Sequence, residues 1–149
     1  TSVGAANGPA WAIAAGAGRG DGVTRLYVAA DGGLREFSWT GSTWTWLDLG
    51  GGAMRMSAVA LGAARPDGLT RVYGANYDGH MYEYRWTGSA WSGVAAAASV
   101  AVSGLGGLAI GNGRSDGVSR LYATDPGGGL WELTYGSGGP SLSGRWAWR

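Results

Sequence analysis

The sequence predicts an all-β fold, a β-propeller built from three four-stranded blades, and three observations support this prediction. An Arg-x-Asp-Gly phrase begins at Arg19, Arg65 and Arg114, which gives periods of 46 and 49 residues. That spacing is typical of one propeller blade of four strands, about 40–50 residues. Glycine supplies 31 of the 149 residues, as a fold with many tight turns requires. No segment shows sustained helical periodicity.

Each repeat is predicted to contain four short strands, separated by Asp-Gly, Gly-Gly and Trp-Thr-Gly-Ser turn sequences. The first three strands of the repeats are placed at 13–15, 24–29 and 34–39, then at 59–61, 70–75 and 81–86, and finally at 108–110, 119–124 and 130–135. The fourth strands are placed near Trp44, Trp91 and Trp146. We therefore divide a single propeller module, residues 1–149, into repeats at about 10–53, 54–102 and 103–149.

Three blades are too few for a closed ring, because propellers normally close with about four to eight blades. An open arrangement would leave sheet edges and half of a core uncovered, which folded proteins avoid. Either two chains complete the ring or the chain is a piece of a longer protein. The complete register of all three repeats favours the first alternative, a homodimer with six blades.

Composition argues against several function classes. The net charge is +1 and the basic residues are scattered, so no basic stripe for nucleic acid is predicted. The chain has no cysteine and no apolar run long enough for membrane insertion. Its one histidine, His80, has the repeat counterparts Gly33 and Gly129, so a repeated catalytic site is not predicted. The aspartates lie in turns, where Asx chemistry accounts for them, and we expect no metal and no cofactor.

The glutamates carry the strongest functional signal. The chain has only three, and each follows an Arg-x-Tyr segment by the same distance, 11, 12 or 12 residues from the arginine. The pairs are Arg25 with Glu36, Arg71 with Glu83, and Arg120 with Glu132. Arginine donates hydrogen bonds and glutamate accepts them, so an adjacent pair can hold neighbouring hydroxyl groups. The alternative is a structural cross-strand pair that only braces the sheet.

Tryptophans follow these glutamates at fixed offsets of +3 and +8. They are Trp39 and Trp44 in the first repeat, and Trp86 and Trp91 in the second. Because an offset of three changes the face of a strand, Glu36 and Trp39 should serve different ligands, each shared with a neighbouring blade. An indole face packs well on the apolar side of a sugar ring, although tryptophan that only fills space between blades is the alternative.

This combination resembles the fucose-binding propeller lectins, which include the fungal Aleuria-type lectin and its short bacterial relatives. The resemblance covers all three repeats and is clearest from Arg25 to Trp44 and from Arg71 to Trp91. It implies a six-bladed propeller, which short members complete by oligomerising. It also implies sugar sites between blades, with arginine and glutamate from one blade and tryptophan from the next.

The third repeat departs from this pattern. It has Tyr135 at +3 and Pro140 at +8, and its Trp146 comes later, after a Gly/Ser/Pro-rich insertion. We therefore take Tyr135 and Trp146 as the aromatic wall of this repeat. Because the stacking area there is smaller, we expect sugar sites of unequal strength.

The sequence thus predicts a non-enzymatic lectin, secreted or at the cell surface, that binds fucosylated or related glycans as a homodimer, although no signal peptide stands in this chain. Several weak sites on one rigid ring would act together on a glycosylated surface. The alternatives are a structural or protein-interaction propeller without sugar binding, and a module of a larger extracellular enzyme.

Overall fold

A computed structural model of the chain describes residues 8–50, 54–97, 104–136 and 139–147. Within these ranges the chain forms β-strands and no helix, so the all-β prediction is confirmed. The strands form three four-stranded antiparallel sheets, each a simple up-and-down succession along the chain. Sheet 1 consists of β1 (Ala10–Gly16), β2 (Arg25–Ala30), β3 (Gly33–Trp39) and β4 (Trp44–Gly50).

The other two sheets repeat the same order. Sheet 2 consists of β5 (Met56–Gly62), β6 (Arg71–Asn76), β7 (Met81–Trp86) and β8 (Trp91–Ala97). Sheet 3 consists of β9 (Gly107–Gly111), β10 (Arg120–Thr124), β11 (Gly129–Gly136) and β12 (Gly139–Ala147). The second and third strands lie within about a residue of their predicted positions, whereas the first strands are longer than predicted.

The predicted start of the last strand is wrong. β12 begins at Gly139 rather than near Trp146, because Gly139 already pairs with Gly136 at the end of β11. Pro140 is accommodated because β12 lies at the edge of sheet 3, where a missing N–H costs no ladder hydrogen bond. The fourth strands of sheets 1 and 2 begin at Trp44 and Trp91, as predicted.

Strand alternation gives every sheet two chemically different faces. Tyr27 pairs directly with Glu36 across β2 and β3, so the two side chains share one face, which we call the Glu face. Trp39 pairs with Trp44 on the opposite face, which we call the Trp face. The same register places Tyr73 with Glu83 and Trp86 with Trp91 in sheet 2, and Tyr122 with Glu132 in sheet 3.

The sheets stack in chain order, with the Glu face of one on the Trp face of the next. Between sheets 1 and 2, Tyr27 and Leu34 pack against Val59, Val72 and Tyr84. Between sheets 2 and 3, the buried side chains are those of Tyr73, Met81, Leu121 and Leu133. Sheet 2 is therefore covered on both faces, and the apolar burial that stabilises the fold is concentrated at its two interfaces.

The outer faces of the stack are uncovered in the part of the chain that the structure describes. On the Trp face of sheet 1, Trp39 is 54% exposed and Trp46 is 53% exposed. On the Glu face of sheet 3, Gly107, Tyr122 and Leu130 line open space.

The packing between sheets 1 and 2 requires a glycine at position 74. A Cβ on Gly74 would lie 2.6 Å from Cδ1 of Leu34 and 2.5 Å from Cε of Met56, both fully buried. We expect Gly74→Val to lower the free energy of unfolding by about 1–3 kcal/mol, the usual cost of overpacking a core. Urea denaturation measures this change. Gly111→Val is the matched control, because nothing lies within 4 Å of the position that its Cβ would take and valine suits a strand; equal losses in both variants would contradict the interpretation.

Candidate functional site

Each sheet carries the same cluster of four ionic side chains, located where the loop between its first and second strands closes. The members are the arginine and aspartate of the Arg-x-Asp-Gly phrase, the arginine that begins the second strand, and the glutamate of the third strand. The clusters are Arg19, Asp21, Arg25 and Glu36 in sheet 1, Arg65, Asp67, Arg71 and Glu83 in sheet 2, and Arg114, Asp116, Arg120 and Glu132 in sheet 3.

The aspartate fixes the loop and the second arginine together. Oδ1 of Asp21 accepts a hydrogen bond from the backbone N–H of Val23 at 3.0 Å, which confirms the Asx turn predicted for this position. Both carboxylate oxygens also accept from Arg25, from Nη1 at 2.9 Å and from Nη2 at 2.8 Å. The same bonds join Asp67 to Leu69 and Arg71, and Asp116 to Val118 and Arg120.

The first arginine of each phrase is the closest partner of the glutamate. Nε of Arg19 donates to Glu36, lying 3.1 Å from Oε1 and 3.0 Å from Oε2, and Nη2 of Arg19 pairs with Oε1. The hydroxyl of Tyr27 donates to Oε2 of the same carboxylate at 3.0 Å. Equivalent Nε donors lie 2.8 Å from Glu83 and 2.9 Å from Glu132, and they belong to Arg65 and Arg114.

The arginines that the sequence paired with the glutamates lie slightly farther away. Nε of Arg25 is 3.9 Å from Glu36, and the corresponding distances are 3.1 Å for Arg71 with Glu83 and 3.5 Å for Arg120 with Glu132. Each glutamate is therefore shared by two arginines, and it is buried, with Glu36 only 1% exposed. For Arg19, Arg65 and Arg114 the sequence pattern indicated only a turn. A signal was present, because the arginine and the aspartate of the Arg-x-Asp-Gly phrase are the same in all three repeats and only the residue between them varies.

The four charges of each cluster cancel. Hydrogen bonds from Arg25 lower the pKa of Asp21 to about 2, and arginine hydrogen bonds hold the pKa of Asp67 and Asp116 below the ordinary value. Burial, together with the charge of Glu36, raises the pKa of Tyr27. At neutral pH two carboxylates therefore balance two guanidinium groups, and the cluster has no net charge with which to select an anion.

Aromatic side chains of sheet 2 meet the cluster of sheet 1. Cζ of Arg19 lies 3.8 Å from the ring centroid of Trp86. The ring centroid of Trp91 lies 5.6 Å from that of Trp86 and 6.0 Å from that of Tyr27, and the Trp91 and Tyr27 rings meet edge to face. Nε1 of Trp91 is buried and has no hydrogen-bond acceptor among the described residues. A polar cluster from one sheet and two indoles from the next thus converge on one cleft, which we call the 1–2 cleft.

The remaining aromatic residues predicted for the site fall into two groups. The ring centroids of Trp39 and Trp44 lie 5.5 Å apart on the uncovered Trp face of sheet 1. No described sheet lies against this face to place a four-residue ionic cluster beside them. Tyr135 and Trp146 have their side chains outside the described part, although their backbones pair with Pro140 and Leu130.

The ionic cluster of sheet 3 opens onto empty space. Its cavity has a volume of about 420 Å³ and is lined by Gly113, Arg114, Tyr122, Leu130 and Glu132. The side chain of Arg114 is 49% exposed, because no further sheet of the described chain covers it.

The described ranges contain no group of three His, Asp or Glu side chains placed to hold a metal ion, and no apolar helix of membrane-spanning length. His80 lies in the turn between β6 and β7, where its backbone N–H donates to Oδ1 of Asn76 at 2.8 Å. No model of a known protein family matches the chain, and no curated protein matches it.

We expect the aspartates of the clusters to make stability depend on acid pH. Their pKa is lower in the folded chain than the ordinary value of about 3.9, so the folded state binds fewer protons. The stabilisation is present above about pH 4 and is lost as the pH falls toward 2. Asp67→Asn should therefore lower the urea midpoint at pH 7 and reduce its further fall between pH 5 and pH 2.

The matched control is Asp78→Asn, in the turn before β7, since Asp78 has no arginine partner among the described residues. This control should keep the midpoint at pH 7 and its fall in acid. Identical pH profiles for Asp67→Asn and the unaltered chain would show that the aspartate pairs do not contribute.

Proposed function

We propose that this chain is a non-enzymatic carbohydrate-binding protein, which binds neutral glycans, fucosylated ones among them, in the clefts between successive sheets. One observation carries the proposal: the guanidinium of Arg19 and the indole of Trp86 come from different sheets and lie 3.8 Å apart in one cleft. A sugar ring has hydroxyl groups for the first and an apolar face for the second.

The contacts suggest a role for each side chain. Glu36 is buried and already accepts from Arg19 and Tyr27, so it orients the arginine rather than binding sugar directly. Nη1 of Arg19 has no acceptor among the described residues and is available to sugar oxygens, whereas Nε1 of Trp91 is buried and would reach a sugar only if the Arg19 guanidinium moves aside. A sugar packed on Trp86 would take the place of the Arg19 guanidinium, which stays bound to Glu36 through Nε.

The chemistry of the clusters favours a neutral ligand. Each cluster balances two carboxylates with two guanidinium groups, so an anionic or cationic ligand gains no net attraction. The cavity beside Arg114, about 420 Å³, falls within the range of about 300–1,000 Å³ that is typical of small-molecule sites. We propose a secreted or cell-surface location for the chain, where glycosylated surfaces are accessible.

We further propose that the three sheets are blades of a β-propeller. They stack in order, Glu face to Trp face, and the two outer faces of the stack are complementary to each other. A second copy would place its Trp39 and Trp44 beside the Arg114 and Glu132 of the first, and two such contacts would complete a ring of six blades. Ring closure would also cover Trp46 and Leu130.

A second candidate function is a structural or protein-interaction propeller without sugar binding. The observation in its favour is that Arg19 already covers Trp86, while the acceptors of Glu36 are occupied by arginine and tyrosine. In this interpretation the clusters only hold the loop, the strands and the neighbouring sheet together. The two candidate functions predict different results when Trp86 is replaced, because only the first gives Trp86 a ligand to bind.

We expect Trp86→Leu to weaken sugar binding in the 1–2 cleft at least tenfold, about 1.4 kcal/mol, because the stacking surface is lost. Isothermal titration with L-fucose and a panel of methyl glycosides measures the affinity, and urea denaturation checks the fold. Trp86→Phe is the control, because it keeps an aromatic ring at the same position and should lose much less affinity than Trp86→Leu.

Glu83→Gln separates the two candidates further. Removing one charge of a buried ionic cluster should lower stability in either case, by up to about 3–5 kcal/mol. Under the lectin proposal the variant also loses sugar affinity, because Arg65 is no longer held in place. No binding of any monosaccharide to the unaltered chain, with stability loss as the sole effect of both substitutions, would support the structural candidate instead.

We expect the folded chain to be a dimer in solution, because its outer faces expose Trp39, Trp46 and the cavity of sheet 3. Multi-angle light scattering at micromolar concentration should give twice the chain mass of 15.1 kDa. Trp39→Asp should shift the species toward monomer, since it places a charge in the contact. A well-folded monomer of the unaltered chain would contradict ring closure by a second copy.

A further inference from the structure

Four side chains form a corner at the opposite end of sheets 1 and 2 from the ionic clusters. Trp11 lies near the start of β1 and Asp31 follows β2, while Arg55 precedes β5 and Tyr77 follows β6. The clusters lie at the other end of these strands, where Gly16 pairs with Arg25. Gly16 lies five residues after Trp11 along β1, which corresponds to about 16 Å. The corner therefore shares no residue with the 1–2 cleft.

The corner is held by one carboxylate oxygen and by ring contacts. Oδ1 of Asp31 accepts from Nε1 of Trp11 at 2.9 Å and from Nε of Arg55 at 3.0 Å. The rings of Trp11 and Tyr77 meet nearly at a right angle, 81°, with centroids 5.7 Å apart. Cζ of Arg55 lies 4.9 Å from the Tyr77 centroid and 5.7 Å from the Trp11 centroid. Two aromatic rings and an ion pair thus lie together at one place on the surface.

The groups of the corner remain accessible. Trp11 is 45% exposed and Tyr77 is 41% exposed. Within the described ranges, Oδ2 of Asp31 accepts no hydrogen bond and the two terminal nitrogens of Arg55 donate none. Hydrogen bonds from Trp11 and Arg55 lower the pKa of Asp31, so the carboxylate is charged at neutral pH and balances the arginine.

The fold does not require this corner. By strand register, the equivalent positions between sheets 2 and 3 are Ser57, Tyr77, Gly104 and Pro126, so neither the indole nor the ion pair is repeated there. There, Ser57 donates to the carbonyl oxygens of Ala75 and Leu105 and joins the sheets directly. Stacking one sheet on the next is therefore possible without an exposed indole or an ion pair at this place.

Trp11 lies at an irregularity in the pairing of β1 with β2. The pairing register between β1 and β2 shifts between Ala10 and Ala12, so Trp11 is the extra residue of a β-bulge. Bulges redirect a side chain and occur often beside functional sites. Ser57 occupies the same bulge in β5, so the bulge belongs to the repeat while the tryptophan is particular to the first one.

We propose that the Trp11, Asp31, Arg55 and Tyr77 corner is a second binding site for a neutral saccharide, separate from the clefts between the sheets. A pyranose ring would pack its apolar face on one ring and its edge against the other. Oδ2 of Asp31 would accept a hydrogen bond from a hydroxyl, and the free nitrogens of Arg55 would donate to ring or hydroxyl oxygens. Because the ion pair has no net charge, the site favours neutral sugars over charged ones. This proposal stands whether or not the clefts bind glycans.

The indole N–H of Trp11 provides a direct probe. The chain is labelled with ¹⁵N-tryptophan, and the Trp11 signal is assigned from its loss in Trp11→Phe. It is then titrated with the neutral methyl glycosides of glucose, galactose, mannose and fucose, and separately with glucuronic acid. We expect at least one neutral glycoside to move the Trp11 signal saturably, with a Kd on the order of 1 mM for such a shallow site.

Two variants test whether the corner itself binds. Tyr77→Ala and Arg55→Gln should each weaken the response of the Trp11 signal at least tenfold, while the other indole signals keep their positions. Arg55→Gln decides the matter if Tyr77→Ala does not fold, because the Arg55 side chain is 57% exposed. Trp86→Leu should leave the response unchanged, which separates this site from the 1–2 cleft.

Three results would overturn the proposal. One is the absence of any saturable shift of the Trp11 signal with the neutral glycosides. Another is a shift that persists at full strength in both Tyr77→Ala and Arg55→Gln. The third is tighter binding of glucuronic acid than of every neutral glycoside, which would assign the corner to anions.

Discussion

A buried carboxylate shared by two arginines is the interaction on which each sheet depends. Removing a carboxylate from water is costly, and Glu36 is stabilised only because Arg19, Arg25 and Tyr27 surround it. These partners come from the loop after β1 and from β2, while Glu36 itself lies in β3. One side chain therefore sets the position of a long loop relative to two strands, and the loop in turn places the Arg19 guanidinium against sheet 2.

The same interaction couples the fold to the candidate site. Arg19 is partly covered because sheet 2 lies on it, whereas the equivalent Arg114 faces an open cavity. The difference between the two arginines arises from what lies beside the sheet, since their contacts with glutamate are nearly identical. Each cluster is thus built by its own sheet, and under the proposed function a site is completed only by the neighbouring sheet.

Much of the fold was predictable from the sequence because the repeat fixes the register. The Arg-x-Tyr segments and the tryptophans after each glutamate located the second, third and fourth strands of sheets 1 and 2. Sequence could not locate β12, because the glycine-rich segment after Tyr135 has no counterpart in the other repeats and carries no distinctive side-chain pattern. Strand alternation correctly placed Glu36 and Trp39 on opposite faces.

The site was less predictable. The sequence paired Glu36 with Arg25, which begins a strand of regular geometry, but the nearer partner, Arg19, is brought in by the curvature of a loop. Strand alternation predicts which face of the sheet a side chain lies on, but it applies only to residues in strands. It therefore gave no prediction for the side chain of Arg19, which lies in a loop. The corner around Trp11 was missed for a related reason, because a bulge changes the face of a side chain without any signal in its own sequence.

The first strands of the three sheets have a geometric consequence of their own. A Cβ on Gly16 would come within 2.5 Å of Leu61, and one on Gly62 within 3.0 Å of Ile110, so β1, β5 and β9 approach as closely as backbone and side chain allow. The spacing of these first strands, relative to that of the fourth strands, sets the wedge angle between successive sheets. In a ring made of such wedges, the angle and not the chemistry of the faces determines how many sheets fit around the axis. The faces alone are head-to-tail surfaces, which would join copies into an open chain if the wedge did not divide the circle.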